Sequence, residues 1–184
     1  VSTDVDVDWG SATRVVLPAP GEGLVVAGMG LVRNDELDDL SLTAGAPNAF
    51  GLGGNDETSP KPGHRPLSSM TPRSVIGADR IGVIGTPGGS RIISTVLQVI
   101  VNVLDYRMDV AAAVAAPRLH HQWLPDEVRI ERGFDDDTLA ALRAKGHRVI
   151  EPLGQTSANS IAVTPDGLLG APDPRTRGAE AAGQ

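Results

Sequence analysis

Residues 79–91 read Asp-Arg-Ile-Gly-Val-Ile-Gly-Thr-Pro-Gly-Gly-Ser-Arg, and no other stretch constrains the fold as much. A strand-like run ends at Gly85, adjacent glycines follow Pro87, and a helical pattern starts after Ser90. A chain that passes from apolar strand to apolar helix through so tight a corner lays the helix against the sheet, which points to an α/β architecture. The two glycines also leave their N–H groups bare at the positive end of the helix dipole, where a developing negative charge is well placed. Two readings of the corner stand side by side. One is an oxyanion hole made by Gly88 and Gly89; the other is an ordinary turn with Ser90 as helix N-cap.

At 184 residues and 40% hydrophobic, the chain is long enough to bury a real core and reads most simply as a single domain spanning 1–184. Aromatic residues make up only 3%, so that core falls to Val, Ile, Leu and Ala. A net charge of -7 without a basic stripe argues against a nucleic-acid partner. The chain has no cysteine, which removes thiol catalysis, disulfides and thiolate-bound zinc. The longest apolar stretch, residues 92–104, is interrupted by Ser94, Thr95, Gln98 and Asn102 and is too short to span a bilayer.

Along the chain, residues 1–16 alternate as strands around a turn at Gly10, and residues 23–32 read as glycine-rich extended backbone. Residues 34–39 carry four acids and lead into a long loop rich in proline and glycine, of a length usually kept for a lid or other functional segment. Residues 73–76 and 80–85 form a hairpin, and a helix follows with Ile92, Ile93, Val96, Leu97, Ile100, Val103 and Leu104 at helical spacing. A second helix over 109–116 is stopped by Pro117, and a third is capped by Asp135 or Asp136 and ended by Gly146. Residues 127–131, 147–150 and 160–163 read as further strands, and 176–184 as a tail without order.

Several of these pieces together resemble the small subunit of gamma-glutamyltranspeptidases, members of the N-terminal-nucleophile hydrolase superfamily. They are Asn34-Asp35-Glu36-Leu37-Asp38-Asp39, Pro47-Asn48-Ala49-Phe50-Gly51-Leu52, Arg65-Pro66-Leu67-Ser68-Ser69-Met70-Thr71-Pro72, Pro87-Gly88-Gly89-Ser90-Arg91, residues 116–126 and Asp173-Pro174-Arg175. The resemblance runs from about Gly21 to Arg175. It implies the small-subunit part of a four-layer αββα sandwich, cut from a precursor whose large subunit completes the site. It also implies that an N-terminal Thr attacks a gamma-glutamyl amide and passes the acyl group to water or an amino acid, with no metal or organic cofactor.

By the same resemblance, Gly88 and Gly89 form the oxyanion hole, Ser68 and Ser69 hold the substrate's α-carboxylate, Asp39 binds its α-ammonium and Glu36 stands in the same shell. Anion donors on one loop and carboxylates on another suit an amino-acid head group. His120 and His121 lack a third metal ligand at suitable spacing. The 120–126 segment reads as structural, with Trp123 packed and Pro125 ending the run. Asp173-Pro174-Arg175 reads as an ion-paired closing turn.

The family's leading Thr-Thr-His pattern has no counterpart here. Aligning Ser2, with Asp6 or Asp8, places the nucleophile about three residues before Val1. A further cleavage exposing Thr3 is the alternative, and Ser2 a weaker one. The family's helper Thr and substrate-binding Asn fall on Val15 and Leu17, so residues 1–20 diverge, and Phe50 replaces its frequent lid Tyr. These departures keep two rivals open: a related acylase with an altered substrate, and a non-catalytic binding homologue. Periplasmic or extracellular location is what the resemblance suggests.

Overall fold

The computed structural model describes residues 3–7, 11–15, 25–26, 28–29, 31–32, 43, 45–48, 50–65, 68–76, 81–153 and 156–183. Two short antiparallel hairpins lead the chain: β1 (Thr3–Val7) with β2 (Ser11–Val15), and β3 (Val25–Val26) with β4 (Leu31–Val32). The glycine-rich 23–32 stretch thus contains extended backbone that doubles back through a turn at Gly28, whose φ of +78° suits a residue without Cβ.

The central element is a four-stranded antiparallel sheet in the order β11-β10-β6-β5, made of β5 (Arg73–Ile76), β6 (Ile81–Gly85), β10 (Asn159–Thr164) and β11 (Gly167–Ala171). Its register sets Ile84 opposite both Arg73 and Ser160, and Ser160 opposite Ala171. Because side chains alternate along a strand, Ile84, Ser160 and Ala171 share one face, and all three are buried. Helices α1 (Arg91–Leu104) and α2 (Val110–Ala115) cover that face. Ile92, Val96 and Val99 of α1 meet Val110, Ala113 and Val114 of α2, with Ile84 and Ala171 from the sheet, in one aliphatic cluster. The opposite face carries Val83, Leu168 and Ile76, which are 42%, 42% and 78% exposed.

A second, three-stranded sheet has the order β7-β8-β9, from β7 (Leu119–His120), β8 (Val128–Ile130) and β9 (Val149–Ile150). Strands β8 and β9 are parallel, so the chain must cross over between them. Helix α3 (Asp136–Ala144) makes that crossover, and its Leu139 packs on Val128 and Ile130. The Asp135 side chain accepts from the Thr138 N–H, and Gly146 leaves the helix at φ +93°, as the sequence predicts. Asp109 caps α2 in the same way, accepting from Ala111 and Ala112.

Three expectations need correction. Strands β7 and β11 lie outside every segment that the sequence reading assigned to strand. Residues 176–183 are not a free tail: the Thr176 and Ser157 hydroxyls are 2.5 Å apart, Thr176 N donates to Asp173 O at 3.0 Å, and Ala181 sits against Gly170. Trp123, expected to pack, is 75% exposed, with a left-handed φ of +72°.

Candidate active site

Four segments leave the same end of the four-stranded sheet. Strand β6 arrives there at Gly85 and β11 at Ala171, whereas β5 and β10 start there at Arg73 and Asn159. Residues 68–72, 86–90, 156–158 and 172–176 therefore share that end, which brings the serine doublet and the glycine corner to one side of the molecule.

At the corner, Gly88 and Gly89 have φ of +136° and +57°, conformations that favour glycine at both positions. Their carbonyls are used: Arg91 N donates to Gly88 O at 3.1 Å and Ile92 N to Gly89 O at 3.0 Å. Among the described residues, neither glycine N–H meets an acceptor. Thr86 pins the corner from beneath, its Oγ1 donating to Pro87 O at 2.7 Å and accepting from Ser157 N at 3.1 Å.

Ser90 stands at the N-cap position of α1, as the sequence suggested, but its side chain does not cap the helix. It is already helical at φ -57°, ψ -25°, and makes no side-chain cap bond. Its Oγ instead donates to Gln122 Oε1 at 2.7 Å. The Gly88 and Gly89 carbonyls accept from the first two N–H groups of α1.

The lid-like loop closes over this corner. Asn48 organises it, its Oδ1 accepting from Phe50 N and Leu52 N at 2.9 and 3.0 Å, while Gly45 N donates to Gly54 O at 2.9 Å across the loop's neck. A Cβ on Gly89 would lie 2.3 Å from Phe50 Cζ, so the ring rests directly on that glycine. The Arg91 guanidinium stands 5.8 Å from the ring centroid. Gln122 Nε2 donates to Phe50 O at 2.8 Å and to Leu124 O at 3.0 Å.

His120 continues the network, with Nε2 2.9 Å from Gln122 Oε1 and Nδ1 2.8 Å from Ser94 Oγ. Burial pushes its pKa below the ordinary value, and Gln122 only partly opposes that. His120 is thus a satisfied, buried histidine. The role of Gln122 escaped sequence reasoning; a polar His-His-Gln run beside a buried strand was the only signal, and it read as structural.

Ser68 is exposed and Ser69 half-buried. Ser68 Oγ accepts from Met70 N at 3.3 Å, and among the described residues its hydrogen has no acceptor. Asp39 and Glu36 lie outside the described residues, as do Ser2 and Leu17; Thr3 and Val15 are described only as backbone of β1 and β2.

Behind the same sheet end lies an ionic cluster. Arg118 and Asp173 are 1% and 0% exposed and pair at 2.8 Å between Nη1 and Oδ2. Arg118 Nη1 also donates to Thr156 Oγ1 at 2.8 Å, and Ala158 N donates to Asp173 Oδ2 at 2.5 Å. Burial lowers the Arg118 pKa, with the Asp173 charge as the main counterweight. Arg175 grips Glu131 with two bonds, Nε to Oε1 at 2.7 Å and Nη2 to Oε2 at 2.6 Å, and touches Asp173 Oδ1 at 3.1 Å. The Asp173-Pro174-Arg175 turn is ion-paired, as its sequence suggested, and it braces the 156–158 and 114–118 segments.

Comparison with known proteins follows the same lines. The gamma-glutamyltranspeptidase family model matches residues 8–183. Over 158 residues the chain is 50% identical to the glutathione hydrolase proenzyme of Escherichia coli strain K12, covering 85% of this chain and 27% of that protein. The chain therefore spans about a quarter of the length of that curated relative. Among solved structures it resembles the Helicobacter pylori gamma-glutamyltranspeptidase T380A mutant, with TM-score 0.81, 40% identity, and coverage of 95% of this chain and 99% of that one. The Bacillus anthracis transpeptidase CapD matches at TM-score 0.67 and 16% identity, over 100% of this chain and 99% of its own, a likeness of fold alone.

Proposed function

This chain belongs to the gamma-glutamyltranspeptidase family, and we propose that it is the small-subunit part of an enzyme moving the gamma-glutamyl group of glutathione and related amides to water or an amino acid. The observation that carries the reading is the corner at Gly88 and Gly89, two N–H groups unclaimed among the described residues at the start of an apolar helix. The attacking hydroxyl is that of the N-terminal threonine implied by the resemblance. Its oxygen adds to the gamma-carbonyl carbon and its proton passes to its own α-amino group. The carbonyl oxygen becomes an oxyanion, and fixed donors stabilise it more than they stabilise the ground-state carbonyl. Collapse expels the amine, which takes the proton. Water or an amino acid then attacks the acyl-enzyme by the same route.

Ser68 and Ser69 are proposed to donate to the donor's α-carboxylate, supported by their place at the corner's end of the sheet and by the Ser68 hydrogen, which has no acceptor among the described residues. Asp39 and Glu36 are proposed for its α-ammonium on the resemblance alone. The large subunit of the same precursor is the proposed partner, consistent with the proenzyme name of the Escherichia coli relative and the fraction of it matched here. Export to the periplasm or exterior is proposed on family grounds. Among the described residues no helix is long and apolar enough to cross a membrane.

The test is expression of the full precursor, followed by self-cleavage and release of p-nitroaniline from gamma-glutamyl-p-nitroanilide. A folded precursor that does neither rejects the proposal. A second reading, an acylase with another side chain in the pocket, draws on Phe50, whose ring presents an apolar wall over Gly89 where the family frequently has a tyrosine. A rate that is unchanged when the substrate loses its α-amino group would favour that reading.

A further inference from the structure

The Gln122 carboxamide is saturated by groups from three separate parts of the chain. Its Nε2 faces two carbonyl oxygens, Phe50 O at 2.8 Å and Leu124 O at 3.0 Å. Carbonyls only accept, so the NH2 end must point that way and the amide cannot flip. Its Oε1 is then the acceptor for both Ser90 Oγ at 2.7 Å and His120 Nε2 at 2.9 Å. That assignment places the His120 proton on Nε2 and leaves Nδ1 as an acceptor facing Ser94 Oγ at 2.8 Å, whose single hydrogen is shared with Arg91 O at 3.1 Å. Every hydrogen-bonding position of the amide is therefore occupied, and the two acceptor-only carbonyls fix its orientation.

The consequences meet at the corner. Ser90 directly follows Gly89, and the Phe50 ring lies on Gly89. Gln122 thus holds both sides of that contact: the backbone of the loop residue whose ring covers the glycine, and the N-cap residue that follows the glycine. A Cβ on Gly51 would stand 3.7 Å from Gln122 Nε2 and 3.5 Å from Pro125 Cδ, so the loop's tip also seats against the 122–125 segment. The hydrogen bonds within the loop shape it, but among the described residues the bond from Gln122 is the hydrogen bond that ties its tip to the rest of the fold, beside the packing of the Phe50 ring on Gly89 and Arg91.

We propose that Gln122 is a positioning residue that sets the 45–54 loop and the Gly88-Gly89 corner in one fixed relation, one amide acting on both. Its Nε2 arm holds the loop closed and its Oε1 arm holds the helix start. The kinetic side of this inference rests on the function proposed above, whereas the tethering side does not.

Gln122→Glu separates the arms. A carboxylate keeps an acceptor for Ser90 and His120 but turns a lone pair toward Phe50 O and Leu124 O, so the loop arm is lost and the corner arm kept. Hydrogen exchange followed by mass spectrometry on the full precursor, wild type against variant in the same processing state, reads the tether directly. Exchange across 45–54 is expected to rise about tenfold or more in both Gln122→Glu and Gln122→Ala, with β10 and β11 unchanged. Ser90→Ala, which removes only the corner arm, is expected to leave 45–54 at the wild-type rate.

In the processed enzyme, Gln122→Glu is expected to raise the donor KM about three- to tenfold and to change kcat by less than about twofold, because the loop's closure and not the corner's donors is altered. Gln122→Ala is expected to lower kcat as well. Wild-type exchange at 45–54 in a folded Gln122→Glu protein overturns the inference, as does a loss of folding in both variants, which would make Gln122 a core residue and not a tether. An inactive wild type with faster loop exchange in the variants would reject the enzymatic reading and leave the tether standing.

Discussion

At Gly89 two constraints act on one position: the backbone lies at φ +57°, and a Cβ would meet the Phe50 ring at 2.3 to 2.5 Å. Gly89→Ala is therefore expected to turn the corner's N–H groups and displace the ring together, lowering kcat about a hundred- to a thousandfold, the usual cost of a lost oxyanion donor. Steady-state kinetics on a variant of near wild-type melting temperature checks this, and an unaltered kcat would count against the corner. His120 makes a second prediction at this scale. Its folded pKa lies below the unfolded value near 6.5 because burial disfavours the cation. The unfolded chain thus takes up a proton that the folded one refuses, so the histidine's full contribution is present above about pH 6.5 and declines as pH falls toward the folded pKa. Melting temperatures from pH 7.5 down to 5.5 should fall more steeply for the wild type than for His120→Asn. The place of the glycine doublet between strand and helix was legible from the patterns on either side of it, whereas its proposed role came from the family resemblance. Ser90 holds the N-cap position that its sequence suggested, but the partner of its hydroxyl was not legible, since that partner is a glutamine 32 positions away.

The elements were read best where one periodicity held for several residues. Helix α1 and the β5–β6 hairpin follow their patterns, but β7 has two residues and β11 reads Gly-Leu-Leu-Gly-Ala, where glycines and the lack of alternation hide a strand that pairs along its whole length with β10. The pairing that makes β11 a strand is tertiary, and so is the buried pairing that ties its end to α2 and β8. Asp173, just after β11, serves Arg118, Ala158 and Arg175 at once. Asp173→Asn leaves the Arg118 guanidinium buried with its compensating charge removed, and is expected to cost about 3–5 kcal/mol. Chemical denaturation of the processed protein measures it; a cost within about 0.5 kcal/mol, the range of a surface substitution, would mean that the cluster contributes nothing. Arg118→Met, which removes the charge with the side chain, should cost less.

Over the molecule as a whole, the apolar surface is unevenly covered. On the sheet face away from α1 and α2, Ile76, Val83 and Leu168 are exposed, and on α1 itself Ile93 and Leu97 are 57% and 58% exposed. Residues 1–184 expressed alone are expected to associate and to bind an apolar dye such as bis-ANS, and to lose both properties when produced with the rest of the precursor. Light scattering and dye fluorescence decide this, with a monodisperse, dye-negative chain as the contrary result. The α/β class was legible from the order of strands and helices. The closing of a loop onto the corner was not, because Phe50 and Gly89 are brought together by folding and nothing in either local sequence announces the other. The segments around the proposed site all leave one end of the four-stranded sheet, and the β10–β11 turn at Pro165 and Asp166 leaves the other. A dye, an affinity peptide or a tether to a solid support spliced between those two residues would therefore report on the protein, or immobilise it, from the side remote from its chemistry.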